Sequence, residues 1–209
     1  MPSTPLTAAA DRIVQLALPH FAERGYDTTS LNDIAVSAGI RKASLYAHFT
    51  GKNELYGAVL ELALSNEWDY MNARFAAATR EGIPGEHYVD SLQHRFNDSS
   101  ALRFLLRAAF YPPTPLEHAV KSGFEHYLAG IGERFRLALQ RAYPDIDTQH
   151  SALLGEAYLA LIDSLHVELI YGNEQAYSRR LGAVRTLVGL IGRQRLAQGA
   201  VSGHERQAL

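Results

Sequence analysis

Residues 28–56 read TTSLNDIAVSAGIRKASLYAHFTGKNELY, and the spacing of Ala35, Gly39 and Leu45 decides how the stretch folds. Two short helices joined by a tight turn need a small residue where they cross, a residue free to adopt positive φ in the turn, and an apolar plug in the joint. Ala35, Gly39 and Leu45 supply these in that order, the pattern of a helix-turn-helix. Leu31 and Ile34 aim the first helix at a core, and Ile40, Leu45 and Phe49 aim the second. Arg41, Lys42, Ser44 and His48 are left outward, on the side that a recognition helix presents to a DNA major groove. The three positions by themselves also suit a plain αα-hairpin with a solvated outer face. Thr29 reads as the N-cap of the first short helix and Gly39 as its end, and the second spans about 41–49.

The pattern outside this stretch is helical throughout. Upstream, Ile13, Leu16, Ala17 and Phe21 form an apolar stripe on a helix starting near Thr7 and ending at Gly25, with Pro19 expected to kink or divide it. Downstream, helices are expected over about 53–80, 86–96 and 100–111, the last capped by Asp98 or Ser99 and closed by Pro112 and Pro113. Thr114 followed by Pro115 opens a helix to about residue 142, and two more apolar helices follow over 151–170 and 176–196, before a polar tail. The expectation is an all-α fold of about nine helices. It comprises a three-helix helix-turn-helix domain over 1–52 and a larger helical domain over 53–209.

Composition agrees and narrows the function. In 209 residues, Ala and Leu number 58 against 18 for Val and Ile, which favours helix over sheet. Cysteine is absent, which excludes disulfides, thiol catalysis and cysteine zinc sites. No apolar run approaches the ~20 residues that span a bilayer, and Asp11 before the first apolar stretch argues against a secretory leader. A cytoplasmic location is expected. The net charge of -2 means that any contact with nucleic acid must come from a local patch. Arg41, Lys42 and Lys52 provide one, in a twelve-residue window without an acid.

Over residues 11–56 the chain resembles the TetR family of transcriptional regulators. The resemblance runs through Phe21-Ala22-Glu23-Arg24-Gly25-Tyr26, Thr29, Asp33-Ile34-Ala35, Ala38-Gly39, Ser44-Leu45-Tyr46, His48-Phe49 and Lys52. It implies that Thr29, Ser44, Tyr46, His48 and Lys52 touch phosphates of double-stranded DNA, hydroxyls and cations being suited to fix register without reading sequence. Arg41 and Lys42 stand where side chains reach base edges, and Ala43 is small enough to meet a thymine methyl or simply to allow close approach. Two departures stand out: Arg41 occupies a position where the family often has Ser, and Pro19 interrupts the first helix.

The resemblance also implies that the larger domain pairs two subunits and holds a small-molecule effector. Gly182 and Gly189, seven apart on the last helix, with Tyr158, Leu161 and Leu165 on the preceding one, are the expected seam of a homodimer. Trp68, Phe104, Arg107, Tyr111, Tyr127 and His166 are the candidate effector residues, giving apolar walls and a polar anchor for a mostly apolar molecule, with an ordinary aromatic core as the alternative. His87 with His94 and His118 with His126 lack i, i+4 ligand spacing, and neither a Gly-rich phosphate loop, HExxH nor Gly-x-Ser-x-Gly occurs. No metal, cofactor or catalytic residue is therefore expected. The reading is a homodimeric, ligand-responsive regulator, most simply a repressor binding a palindromic operator. The alternatives are a helical carrier or partner-binding protein with a vestigial DNA module, and a helical enzyme that uses the histidines.

Overall fold

Thr7 opens the first helix by accepting a hydrogen bond from the Ala10 N–H at 3.3 Å, and the helix, α1 (Ala8–Thr28), runs straight through Pro19. Only Gly25 departs from helical dihedrals, at φ 78° and ψ 178°, so the kink expected at Pro19 falls instead at Gly25. Pro19 removes only the donor owed to the Gln15 carbonyl, and Gln15 is exposed, where water replaces that donor at little cost.

The computed structural model describes residues 6–77 and 83–187, and every regular element among them is helical. After α1 come α2 (Leu31–Ser37), α3 (Lys42–Tyr46), α4 (Lys52–Ala76), α5 (Glu86–Asp98) and α6 (Ser100–Phe110). Ser99 caps α6 through the Ala101 and Leu102 N–H groups. The Thr114–Pro115 signal produces a 3-10 turn (Thr114–Leu116) preceded by Pro113, rather than the start of the long helix itself. That helix is α7 (Glu117–Ala142), and it is followed by α8 (Thr148–Tyr171), capped by Asp147, and by α9 over 174–187, capped by Asn173.

The chain divides into two compact units. One comprises the described residues up to Met71 with Gln93–Gly130, and the other the described residues of Asn72–Leu92 with those from Ile131 onward. In the first, Ile13, Val14, Ala17 and Phe21 of α1 share one core with Leu31, Ile34, Leu45, Phe49, Leu55 and Val59. Phe104, Leu105 and Ala108 of α6 enter the same core, so the helix-turn-helix closes on a helix far outside the first 52 residues. Each such large apolar side chain contributes about 1.5–3 kcal/mol by leaving water. A buried ion pair sits beside this core: Glu67, 1% exposed, accepts from Arg95 Nε and Nη2 and from the Ser99 hydroxyl, at 2.7–3.2 Å.

The second unit is built on stacked aromatics. Tyr158 stacks on Phe135 with ring centroids 4.1 Å apart and meets Phe75 edge-on. Its hydroxyl donates to the Gly85 carbonyl at 3.0 Å. Gly85 lies at φ 76°, and a side chain there would start 2.7 Å from that hydroxyl, so both backbone and space require glycine.

His166 is fully buried in this unit, with its Nδ1 3.9 Å from Asp163 Oδ1, and burial pulls its imidazole down to about 4. A histidine held neutral in the folded chain but titrating normally in the unfolded chain contributes stability that is complete above about pH 6.5 and is lost as the pH falls toward 4. Burial raises the Asp163 carboxyl, which acts in the opposite sense, favouring the folded chain where that group is protonated. The net expectation is an acid loss of about 2–3 kcal/mol between pH 7 and 4.5, absent in His166→Phe. Urea unfolding at the two pH values tests this, and an unchanged acid loss in the variant would remove His166 as its source.

Candidate nucleic-acid interface

The surface that α3 presents is set by how α1 ends. Around the Gly25 kink side chains take the carbonyls near the end of α1 one by one. Thr28 donates to the Arg24 carbonyl at 2.5 Å, Thr29 to Gly25 at 2.7 Å and toward His20 at 3.1 Å, and Lys52 Nζ to Asp27 at 3.3 Å. Arg107 of α6 supplies Nε to Ala22 at 2.9 Å and Nη2 to Glu23 at 3.2 Å, a cation at a helix C-terminus.

This arrangement corrects the expected role of Thr29. Its hydroxyl is turned inward, and the residue is 1% exposed, so it caps the end of α1 rather than the start of α2, and its hydroxyl is already engaged within the chain. Ser30 is the cap of α2: its hydroxyl accepts from the Asp33 N–H at 3.1 Å while Asp33 accepts from the Ser30 N–H at 3.4 Å. Hydrogen bonding from the Ser30 side chain and N–H to the carboxylate holds the Asp33 carboxyl below its ordinary range, with Arg24 and His20 adding to the effect. The Ser-x-x-Asp spacing of this capping box was present in the sequence.

Gly39 makes the turn at φ 67°, and the Ile40 N–H returns to the Ala35 carbonyl at 3.0 Å. Leu45 and Phe49 plug the joint, 0% and 2% exposed. Between and around them Arg41, Lys42, Ala43, Ser44, Tyr46 and His48 are all exposed, so α3 and the residues flanking it leave hydroxyls, cations and a methyl in solvent. Arg41 is the residue preceding α3 and makes no capping hydrogen bond, so its guanidinium is not spent on the helix start. At the next joint, Glu54 accepts from both the N–H and the hydroxyl of Thr50 at 2.6 Å, which fixes the entry to α4 and holds the Glu54 carboxyl below its usual range. Lys52 lies 4.3 Å above the Tyr26 ring, and burial there pushes its ammonium below the ordinary lysine range, with Asp27 opposing. The Tyr26 hydroxyl donates to Asn53. Thr50, which helps position this end of the surface, was not singled out from sequence, and Tyr26 was quoted only as part of the run that carries the resemblance.

The candidate effector residues fall in different surroundings. Phe104 and Tyr127 are each 1% exposed within the first unit, Phe104 against Tyr56 and Tyr127 against Phe124, because helical aromatic stripes face the core. Trp68 stacks on His126 at 5.2 Å and covers Gly130, while His166 belongs to the second unit. Arg107 and Tyr111 do share a place, the wall of a cavity beside the Gly25 kink. The residues expected at a dimer seam are placed as follows. Tyr158 and Leu165 are buried within their own chain, 1% and 0% exposed; Leu161 is half-buried, Gly182 is exposed and Gly189 lies outside the described residues. On its outer side α8 exposes Leu153, Ala157, Ala160, Val167 and Tyr171, with half-buried Ser164 among them held by Arg180, in a row alternating four and three residues apart. His94 pairs with Asp98 at 2.9 Å. Among the described residues no helix is long and apolar enough to cross a membrane.

Known proteins share both this module and the fold around it. The family model for bacterial regulatory proteins of the tetR family matches residues 13–59. The biofilm operon icaADBC HTH-type negative transcriptional regulator IcaR of Staphylococcus epidermidis is 41% identical over 180 residues, covering 83% of this chain and 88% of that protein. Its Staphylococcus aureus counterparts are 45% identical over 62 residues, and there the match spans only 31% of their length. Among solved structures, a tetR-family transcriptional regulator from Streptomyces coelicolor superposes with a TM-score of 0.68 over 93% of this chain and 90% of that one, at 18% identity. A transcriptional regulator from Cytophaga hutchinsonii does so at 0.65, 21% identity, over 90% and 98%. With a relative this similar along most of its length, a matching DNA-binding module and the same fold, the chain belongs to the tetR family of bacterial regulatory proteins.

Proposed function

We propose that this regulator is a repressor that binds a palindromic operator in double-stranded DNA as a homodimer and is released by a small, mostly apolar effector. The observation that carries the reading is the exposed face of α3, with Arg41, Lys42, Ser44, Tyr46 and His48 outward on a base locked by Leu45 and Phe49. Arg41 and Lys42 at the helix start reach base edges, Ala43 allows close approach, and Ser44, Tyr46, His48 and Lys52 hold phosphates. Residues 1–52 read DNA, and 53–209 pair the subunits and respond to the ligand. The Staphylococcus epidermidis relative is named a negative regulator, which supports the sign. The protein acts on cytoplasmic DNA and carries no catalytic activity.

Sequencing the DNA fragments that the purified protein retains tests the reading directly, and failure to enrich any inverted repeat would overturn it. On such a fragment, Lys52→Ala should weaken binding to all sequences alike and lower the slope of log affinity against log salt by about one, as loss of one phosphate contact requires. Lys42→Ala should instead change which bases are preferred. Fluorescence anisotropy across a salt series distinguishes these outcomes, and an unchanged slope in Lys52→Ala would take Lys52 off the phosphates.

A further inference from the structure

We propose that the cavity at the junction of α1 and α6 is a binding site for a carboxylate with an aromatic or alkyl body, and that filling it draws Arg107 away from the α1 carbonyls. The second half rests on the repressor reading above; the first does not. The cavity measures about 610 Å³, within the ~300–1,000 Å³ usual for small-molecule sites. It lies wholly within the first unit, between the Gly25 kink and the segment that leads from α6 to α7.

Its walls select the ligand chemistry. Tyr26 and Tyr56, edge to face at 5.3 Å, together with Phe110 and Tyr111, give ring surface for an apolar body. Pro112, Pro113 and Pro115 bring no N–H donors, Thr28 and Thr114 add neutral hydroxyls, and the charge in the lining comes from two arginines and one aspartate. Arg24 and Arg107 are both in the lining, against the one carboxylate of Asp27, whose charge interacts with Lys52. Arg107 has two N–H groups on the neutral carbonyls of Ala22 and Glu23, while its Nη1 lies 3.4 Å from where a side chain on Gly25 would begin. Glycine at 25 therefore leaves that edge of the guanidinium open to the cavity.

A carboxylate outcompetes neutral carbonyls for a guanidinium, because it accepts two parallel charge-assisted bonds. Pairing with a ligand carboxylate would take Arg107 from Ala22 and Glu23, the two α1 carbonyls capped from outside the helix-turn-helix. The end of α1 leads directly through Thr28–Ser30 into α2, so losing this cap loosens the base on which α3 is held. DNA affinity then falls, and by linkage DNA lowers the ligand's affinity by the same factor.

The test uses the full chain with 4-phenylbutyrate as probe and 4-phenylbutanol as its uncharged counterpart, followed by calorimetry and by tyrosine fluorescence. Saturable binding of the acid, at least about tenfold tighter than the alcohol, is expected. Tyr111→Ala and Arg24→Gln, both at exposed positions, should each weaken the acid by about tenfold while leaving the thermal melt unchanged. Absence of saturable binding, equal affinity for the alcohol, or full affinity in both variants would overturn the site. Adding a retained DNA fragment examines the coupling: the probe should weaken DNA binding and be weakened by DNA equally, and an unaltered DNA affinity at saturating probe would overturn the second half alone. A protein that binds the probe as described but retains no DNA would sink the repressor reading and leave the site standing.

Discussion

Ala160→Glu should convert the protein to a 23.1 kDa monomer and lower its affinity for a two-half-site operator by about a thousandfold or more. Residue 160 lies in the middle of the exposed row on α8, where Leu153 is 66%, Val167 37% and Tyr171 54% exposed. Alternating spacings of four and three residues keep a row on one side of a helix, and an apolar row of that length left in water is suited to a second copy of itself. A carboxylate placed in the middle of the row would have to be buried without a partner in the dimer, whereas in the monomer it meets only solvent. The fold of each chain should therefore survive, with an unchanged circular dichroism spectrum. Sedimentation equilibrium decides the matter, and a dimer that persists in Ala160→Glu would move the seam away from α8.

Arg95→Ala should destabilise the folded chain by about 3–5 kcal/mol. The guanidinium makes three hydrogen bonds to Glu67 and lies 4.4 Å over the Tyr70 ring, while Glu67 is 1% exposed and also accepts from the Ser99 hydroxyl. Removing the cation leaves a carboxylate sealed from water with one neutral donor. The pair as a whole costs far less to replace than to break, since both charges are removed from the interior together. The double variant Glu67→Leu with Arg95→Leu should accordingly recover most of the loss. Chemical denaturation of both variants measures this; a loss below about 1 kcal/mol for Arg95→Ala, or no recovery in the double variant, would show that the pair is not what orders this region.

The helix-turn-helix was legible because its determinants are local. Ala35, Gly39 and Leu45 each answer a steric demand set within about ten residues, and the structure places each in the role that spacing assigned. The register of the caps was legible only in part. The run Thr28-Thr29-Ser30 offers three hydroxyls, and what decides among them is the Gly25 kink, which turns carbonyls toward Thr28 and Thr29 and leaves Ser30 for α2. Gly25 itself was legible as the end of the first helix, but the bonds that Arg107 of α6 makes to Ala22 and Glu23, some 80 residues away, lie beyond the reach of any local pattern. The aromatic residues show the same limit more sharply. Helical spacing says that Phe104 and Tyr111 lie on similar sides of α6, yet one is 1% exposed in the core and the other 62% exposed on a cavity wall. Tyr158 failed as a seam residue for a related reason: an apolar helix face does not reveal whether it will meet its own chain or another, and here Phe135 and Gly85 claim it first.

The Arg107 brace bears on how such proteins can be recombined. Chimeric regulators are most simply built by joining one protein's reading head to another's receiver at the start of α4, as if the head were a cassette. In this chain that cut would separate Ala22 and Glu23 from the guanidinium that caps them, and Phe21 from Tyr56, the ring through which it meets Phe104. The transplantable piece is discontinuous: residues up to the first turns of α4 together with the facing side of α6. A graft that carries Phe104, Leu105, Ala108 and Arg107 along with the head should fold and bind DNA, while the contiguous graft should give a head with a frayed first helix and an open core.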